Sequence, residues 1–176
     1  MHQPSMDQIS SLTAPVSAKD RFALIELLMD VVDGGAAVGF VPPLTEGEAG
    51  AFWDKSIADL NHRTILVARD QVNRILGCVQ LIPALWPSQQ HRAEIAKLLV
   101  HRASRRKGIG RALMLAAEAE ALAQGHTLLT LDARRGDAAI DLYGALGYQE
   151  VGIIPRYGRN GAGVLEDCAL FYKELA

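Results

Sequence analysis

Apolar residues along this chain recur at two periods, and the alternation between them lays out its elements before any chemistry is considered. After a cap-like Ser17 and Asp20, the residues Phe22, Ile25, Met29 and Val32 repeat at three and four, which predicts an amphipathic helix stopped by Gly34 and Gly35. Thr45 with Glu48 forms a capping-box pattern and opens a second helix, expected to reach about Asn61 with Phe52 and Trp53 on its buried side. Shorter apolar runs read as strands. Thr64 to Ala68 and Ile75 to Leu81 flank a polar turn and predict an antiparallel hairpin ended by Pro83 and Pro87. Ala93 to Val100 is a buried strand, and Ile109, Leu113, Ala117 and Ala121 form the stripe of a helix closing at Gly125. Thr127 to Leu131 is a strand ending at Asp132, residues 137–146 a short helix stopped by Gly147. Tyr148 to Ile154 and Val164 to Tyr172 are the last strands, separated by a glycine-rich turn from Arg156 to Gly163. Residues 5–14 are weakly patterned and suit a short first strand. The result is an α/β chain in which strand, helix and strand across residues 93–131 imply a parallel pair joined right-handedly.

Composition narrows the classes. A chain of 176 residues that is 49% hydrophobic is one domain, 1–176, able to bury a core without disulfide or metal. The net charge of −2 argues against nucleic acid as the main partner. No apolar run approaches the roughly 18 residues of a membrane span, and the first ten residues lack the apolar centre of a signal peptide, so a cytoplasmic protein without a membrane partner is expected. Cys78 and Cys168 lie in apolar runs and read as small buried hydrophobes. The five histidines have no metal-ligand spacing, so no metal is expected, and most of them should be surface residues.

Five of the 18 lysines and arginines fall between Arg102 and Arg111, and two glycines, Gly108 and Gly110, sit among them just before a helix. A helix start exposes unpaired N–H groups and a partial positive charge, and glycine lets ligand oxygens approach those amides, so this loop suits a phosphate. Neither a Gly-x-x-x-x-Gly-Lys-Ser/Thr loop nor the third glycine of a dinucleotide fingerprint is present.

Arg105, Gly108 and Gly110 match Arg/Gln-x-x-Gly-x-Gly/Ala between a strand and a helix, and in this the chain resembles the GCN5-related N-acetyltransferase (GNAT) superfamily. Ala139, Tyr143, Gly147 and Tyr148 are similar to that superfamily's C-terminal helix motif. Within it, Gly34 to Phe40, Ala93 to Leu98, and Leu131-Asp132 with Tyr143 are most similar to the tabtoxin-resistance acetyltransferases. The resemblance implies the GNAT acyl-CoA acyltransferase fold, a mixed central sheet of about seven strands flanked by four helices. It also implies acetyl-CoA as cosubstrate, with the diphosphate on Arg105, Arg106, Lys107, Gly108, Ile109, Gly110 and Arg111. The pantetheine arm would lie on the main chain of Leu98, Leu99 and Val100, with Ala139 nearby. Gly136 departs from the pattern, since many members have asparagine there.

Acetyl transfer to an amine requires a proton acceptor for the amine and a proton donor for the leaving thiolate. Glu94 and Asp132 are the candidate bases, expected to be partly buried carboxylates, and Tyr143 is the candidate acid, with packing as its competing role. The loop from Asp33 to Leu44 should shape the acceptor pocket through Asp33, Val38 and Phe40, together with Trp53, Trp86 and the 156–163 turn. The function expected is acetyl-CoA-dependent N-acetylation of a small-molecule amine, a toxin or antibiotic among the candidates, by a monomer or homodimer. A non-catalytic acyl-CoA-binding sensor and an acetyltransferase acting on protein amines are the alternatives.

Overall fold

The computed structural model describes residues 9–176. One seven-stranded sheet carries four helices. In chain order the elements are β1 (Ile9–Ser11), α1 (Ala18–Asp33), α2 (Glu46–Ala58), β2 (Thr64–Arg69), β3 (Ile75–Pro83), β4 (Arg92–Val100), α3 (Ile109–Ala123), β5 (Leu128–Arg134), α4 (Ala139–Ala145), β6 (Gln149–Arg159) and β7 (Leu165–Glu174). The strand order is β1-β2-β3-β4-β5-β7-β6, with β4 and β5 parallel and every other pair antiparallel. Of the expected first strand, residues 5–8 lie outside the described residues, as does His2.

Strand alternation splits the interior in two. Val79, Leu81, Ile95, Leu129 and Leu131 face α3, whose Ile109, Leu113, Ala117 and Ala121 are all buried against them. Ile65, Val67 and Cys78 face the other way, onto α1 and α2, where Trp53 is fully buried. Both helix starts follow their cap chemistry: Ser17 Oγ accepts from Asp20 N at 3.0 Å, and Thr45 with Glu48 closes the capping box.

Several expectations are corrected. Phe22 is 50% exposed, because α1 turns Leu24, Leu28 and Val31 to the core alongside the expected Ile25 and Val32. Helix α2 ends at Ala58, where the Asp59 carboxylate takes hydrogen bonds from Arg63 and contacts His62. β3 runs through Pro83, paired with Ala93, and Asp132 lies inside β5, which continues to Arg134 opposite Cys168. β6 extends to Arg159, so the first half of the expected final turn, Arg156 to Arg159, is strand. His126 is buried, its Nδ1 2.8 Å from the Gln90 carbonyl oxygen.

Two irregularities shape the middle of the sheet. β4 and β5 pair only through Arg92, Ala93 and Glu94 with Leu128, Leu129 and Thr130, and then part. On the other side of β4, Cys78 pairs with Leu99 and Gln80 with Ala96, so Lys97 and Leu98 together oppose Val79 in a bulge, with Lys97 at φ 51°.

Candidate active site

The parting of β4 from β5 leaves main-chain groups of Ile95 to Val100 facing a gap instead of a strand, and a sheet edge of this kind can hydrogen-bond an extended ligand. The gap is the floor of a cavity of about 690 Å³. At one end stands the start of α3. Gly108 is its N-cap at φ 80° and offers no side chain, and the first intrahelical bond runs from Ala112 N to Gly108 O at 3.0 Å. The amides of Ile109, Gly110 and Arg111 therefore have no partner within the helix, which is the arrangement an anionic group binds. A Cβ added to Gly110 would meet Leu142 at 3.4 Å and Val100 at 3.8 Å, so a larger residue would crowd this approach.

The loop is braced from behind. Arg105 Nε donates to the Val100 carbonyl at 3.3 Å, and Lys107 Nζ to the Ala103 carbonyl at 3.2 Å. Asp30, near the end of α1, accepts from both the main-chain N and the Nε of Arg102 at 2.8 Å. Burial alone would raise the Asp30 carboxyl pKa, but these two bonds outweigh it and hold the group below the usual carboxylate range. Arg134 on β5 reaches across to the Gly35 carbonyl at 3.2 Å, so the loop after α1 is tied to the far side of the gap.

At the other end of the cavity, Glu94 and Asp132 line the same wall from β4 and β5. Both are solvent-accessible, in contrast to the partly buried carboxylates expected, because the gap is open. Asp132 Oδ2 accepts from the Cys168 thiol at 3.4 Å, and burial together with that bond pushes the thiol pKa up to about 11. The Tyr143 ring is 6% exposed, with ring centres 6.0 Å from Tyr148 and 5.9 Å from Phe171. Burial, and then Asp137 and Asp132, raise its pKa, so it stays a neutral phenol. Tyr143 nevertheless lines the cavity from α4.

Most of the sequence-derived site converges here. Leu98, Leu99, Val100, Arg105, Arg106, Gly108, Ile109, Gly110, Arg111, Ala139, Glu94, Asp132, Tyr143 and Val38 all line this one cavity. Lys107, Asp33 and Phe40 do not: Asp33 is exposed at the end of α1, and Phe40 packs edge-on against Phe52 at 5.3 Å. Trp53 is sealed in the core. Trp86 is 71% exposed and shares with Glu94 a separate hollow of about 270 Å³. Lys97, Arg134 and Cys168 were not expected at the site. Only Lys97 carried a local signal, a lysine within the apolar stretch Ile95 to Val100.

Residues 36–148, spanning the gap, the glycine loop and α4, match the sequence profile described as "Acetyltransferase (GNAT) family". The chain belongs to the GNAT family. Solved structures agree in fold. A GNAT superfamily phosphinothricin acetyltransferase from Sinorhizobium meliloti, in complex with acetyl-CoA, superposes with a TM-score of 0.79 at 22% identity, covering 96% of this chain and 88% of that one. The protein yncA of Salmonella typhimurium, with its cofactor acetyl-CoA, gives 0.76 at 20% identity over 96% and 95% of the two chains. A ribosomal-protein-alanine N-acetyltransferase from Brucella melitensis gives 0.78 at 22% identity over 95% and 99%. The GNAT fold expected from the sequence, seven strands with four helices, is the one observed. No helix among the described residues is long and apolar enough to cross a membrane, and no cluster of three or more His, Cys, Asp or Glu side chains there is placed to hold a metal ion.

Proposed function

We propose that this GNAT member is an acetyl-CoA-dependent N-acetyltransferase that passes the acetyl group directly to an amine of a small molecule. The observation that carries the reading is the parting of β4 and β5 beside a side-chain-free helix start. One groove thereby offers extended main-chain pairing and, at its end, an anion cradle. Acetyl-CoA has the same two parts, an amide-bearing arm and a diphosphate. Two of the structural neighbours were solved with it bound, and the residues here fit it.

Arg105 to Arg111 hold the diphosphate through the α3 amides, with their cations as counter-charge. Leu98, Leu99 and Val100 hold the pantetheine arm by main-chain bonds, and Ala139 leaves α4 room beside it. A main-chain N–H of β4 near the bulge polarises the thioester carbonyl. An alkyl amine has a pKa of about 10.4 and must lose a proton to attack, and Asp132 takes it, with Glu94 able to share the task through water. The C–N bond forms as the C–S bond breaks, and Tyr143 gives its hydroxyl proton to the departing sulfur. Cys168 acts through Asp132 by fixing its orientation.

The segment from Gly34 to Phe40, whose Gly34 to Gly39 line the cavity, resembles that of the tabtoxin-resistance type and favours a compact acceptor over a protein surface. Release of free thiol from acetyl-CoA, measured across a panel of small amines, N-terminal peptides and lysine peptides, tests this. Amine-dependent, saturable release with small amines is expected. Release with peptides alone moves the acceptor to protein amines, and binding of acetyl-CoA without release under any acceptor makes the chain a sensor.

A further inference from the structure

Lys97 is the one lysine lining the cavity among the described residues, and its Nζ lies under the Gly34–Gly39 loop. Charged groups on an interior strand are usually paired. Lys97 has no carboxylate within 4.0 Å and no hydrogen bond from its Nζ among the described residues. Its Nζ instead lies 5.7 Å from the centre of the Phe52 ring. It runs beneath the acceptor loop, where a Cβ on Gly39 would stand 3.6 Å away. Asp132 and Glu94 are near enough to act on its charge, yet burial outweighs them and lowers its pKa, which enlarges the neutral, nucleophilic fraction at neutral pH.

Asp132 and Glu94 on the cavity wall are the groups that would draw an incoming amine. The chain's own amine already lies within reach of their charge, backed by the Phe52 ring, which does not itself line the cavity. Anchoring an acid group of the acceptor is the less favourable use of Lys97, since such a group would sit beside both Asp132 and Glu94. The bulge adds a geometric reason. Lys97 belongs to the stretch of β4 whose main chain faces the gap, so its side chain starts from the wall along which the thioester would lie.

We infer that Lys97 is an internal acetyl acceptor: without a competing amine, the acetyl group of acetyl-CoA passes to Lys97 Nζ of the same chain. This rests on the acetyltransferase reading above. The Nζ lone pair attacks the thioester carbonyl carbon, the C–N bond forms, and the C–S bond breaks with its electron pair going to sulfur. The proton lost by nitrogen goes to Asp132, and the thiolate takes one from Tyr143 or solvent. The products are free CoA and an uncharged acetyl-lysine that fills the acceptor half, so turnover of an external amine should fall with the fraction of chains so modified.

The test incubates the full chain with acetyl-CoA and no acceptor, follows intact mass, and maps the acetylated peptide. One acetyl group is expected on Lys97, gained at least about tenfold faster than on exposed Lys19 or Lys55, and slowed about ten- to a thousandfold in Asp132→Asn, the usual range for a lost general base. Lys97→Arg should remove the fast label. A label spread evenly over Lys19, Lys55 and Lys97, or one that persists unslowed in both Asp132→Asn and Glu94→Gln, is uncatalysed chemistry and overturns the inference. Acetyl-CoA that binds by calorimetry and leaves Lys97 unmodified also overturns it, with transfer to external amines left standing. If acetyl-CoA does not bind at all, both readings fall.

Discussion

Asp132 shows how a residue identified from sequence acquires its role from neighbours that sequence does not display. Its place after an apolar strand run and its spacing to Tyr143 are legible in the letters. The thiol that contacts it comes from Cys168, 36 positions away, because β5 pairs with β7 in a register that sets Cys168 on the same face. If Asp132 accepts the amine proton, Asp132→Asn should lower kcat/KM by roughly ten- to a thousandfold with acetyl-CoA affinity unchanged, and rise again at high pH where more amine is already neutral. A larger effect at Glu94→Gln with an inert Asp132→Asn moves the base to Glu94. For Tyr143 the competing packing role is concrete, since its ring is buried against Tyr148 and Phe171. Because burial raises its pKa, it can donate only in step with C–S cleavage. Tyr143→Phe should therefore drop kcat about a hundredfold while unfolding temperature and acetyl-CoA affinity barely move. Turnover surviving within about threefold is below the usual size of an acid's contribution and reduces Tyr143 to packing.

At the scale of elements, what was legible is what local pattern determines. The capping box at Thr45, the glycine stop after α1 and the buried stripe of α3 were all readable because each depends on residues within a turn or two. What was not legible depends on partners. Phe22 fits the helical period as well as Leu24 does, and only the position of the sheet decides which stripe is covered. The bulge at Lys97 arises from a register shift against β3 and has no signature within β4 itself. The brace from Asp30 to Arg102 joins residues 72 positions apart. It sets a testable link between α1 and the phosphate loop. Asp30→Asn should cost about 1 kcal/mol at neutral pH, because Arg102 is half exposed and solvent screens the pair, and should also raise the KM for acetyl-CoA. A carboxyl held below its unfolded pKa of about 3.9 stabilises the fold above that value, and the contribution disappears as pH falls through the folded pKa. The stability gap between wild type and Asp30→Asn, measured by urea unfolding, is thus expected to persist at about pH 5 and to close below about pH 4. A gap that persists in acid would assign the effect to packing.

Across the whole molecule, the sheet is continuous from β1 to β6 except where β4 leaves β5, and that interruption creates the groove. Helix α3 covers one face and presents its amides at the groove's end, while α1 and α2 cover the other face and leave Glu94 and Asp132 open to solvent. The claim on which everything else depends is that this groove and helix start bind acetyl-CoA. Calorimetric titration of acetyl-CoA into the wild-type chain and Gly110→Val tests it most directly, with unfolding temperature confirming that the variant is folded. Wild type should bind one acetyl-CoA per chain, and the valine, crowding the α3 amides beside Leu142, should weaken binding by about tenfold or more, the equivalent of at least about 1.4 kcal/mol. Equal affinity in the two folded proteins would contradict the site.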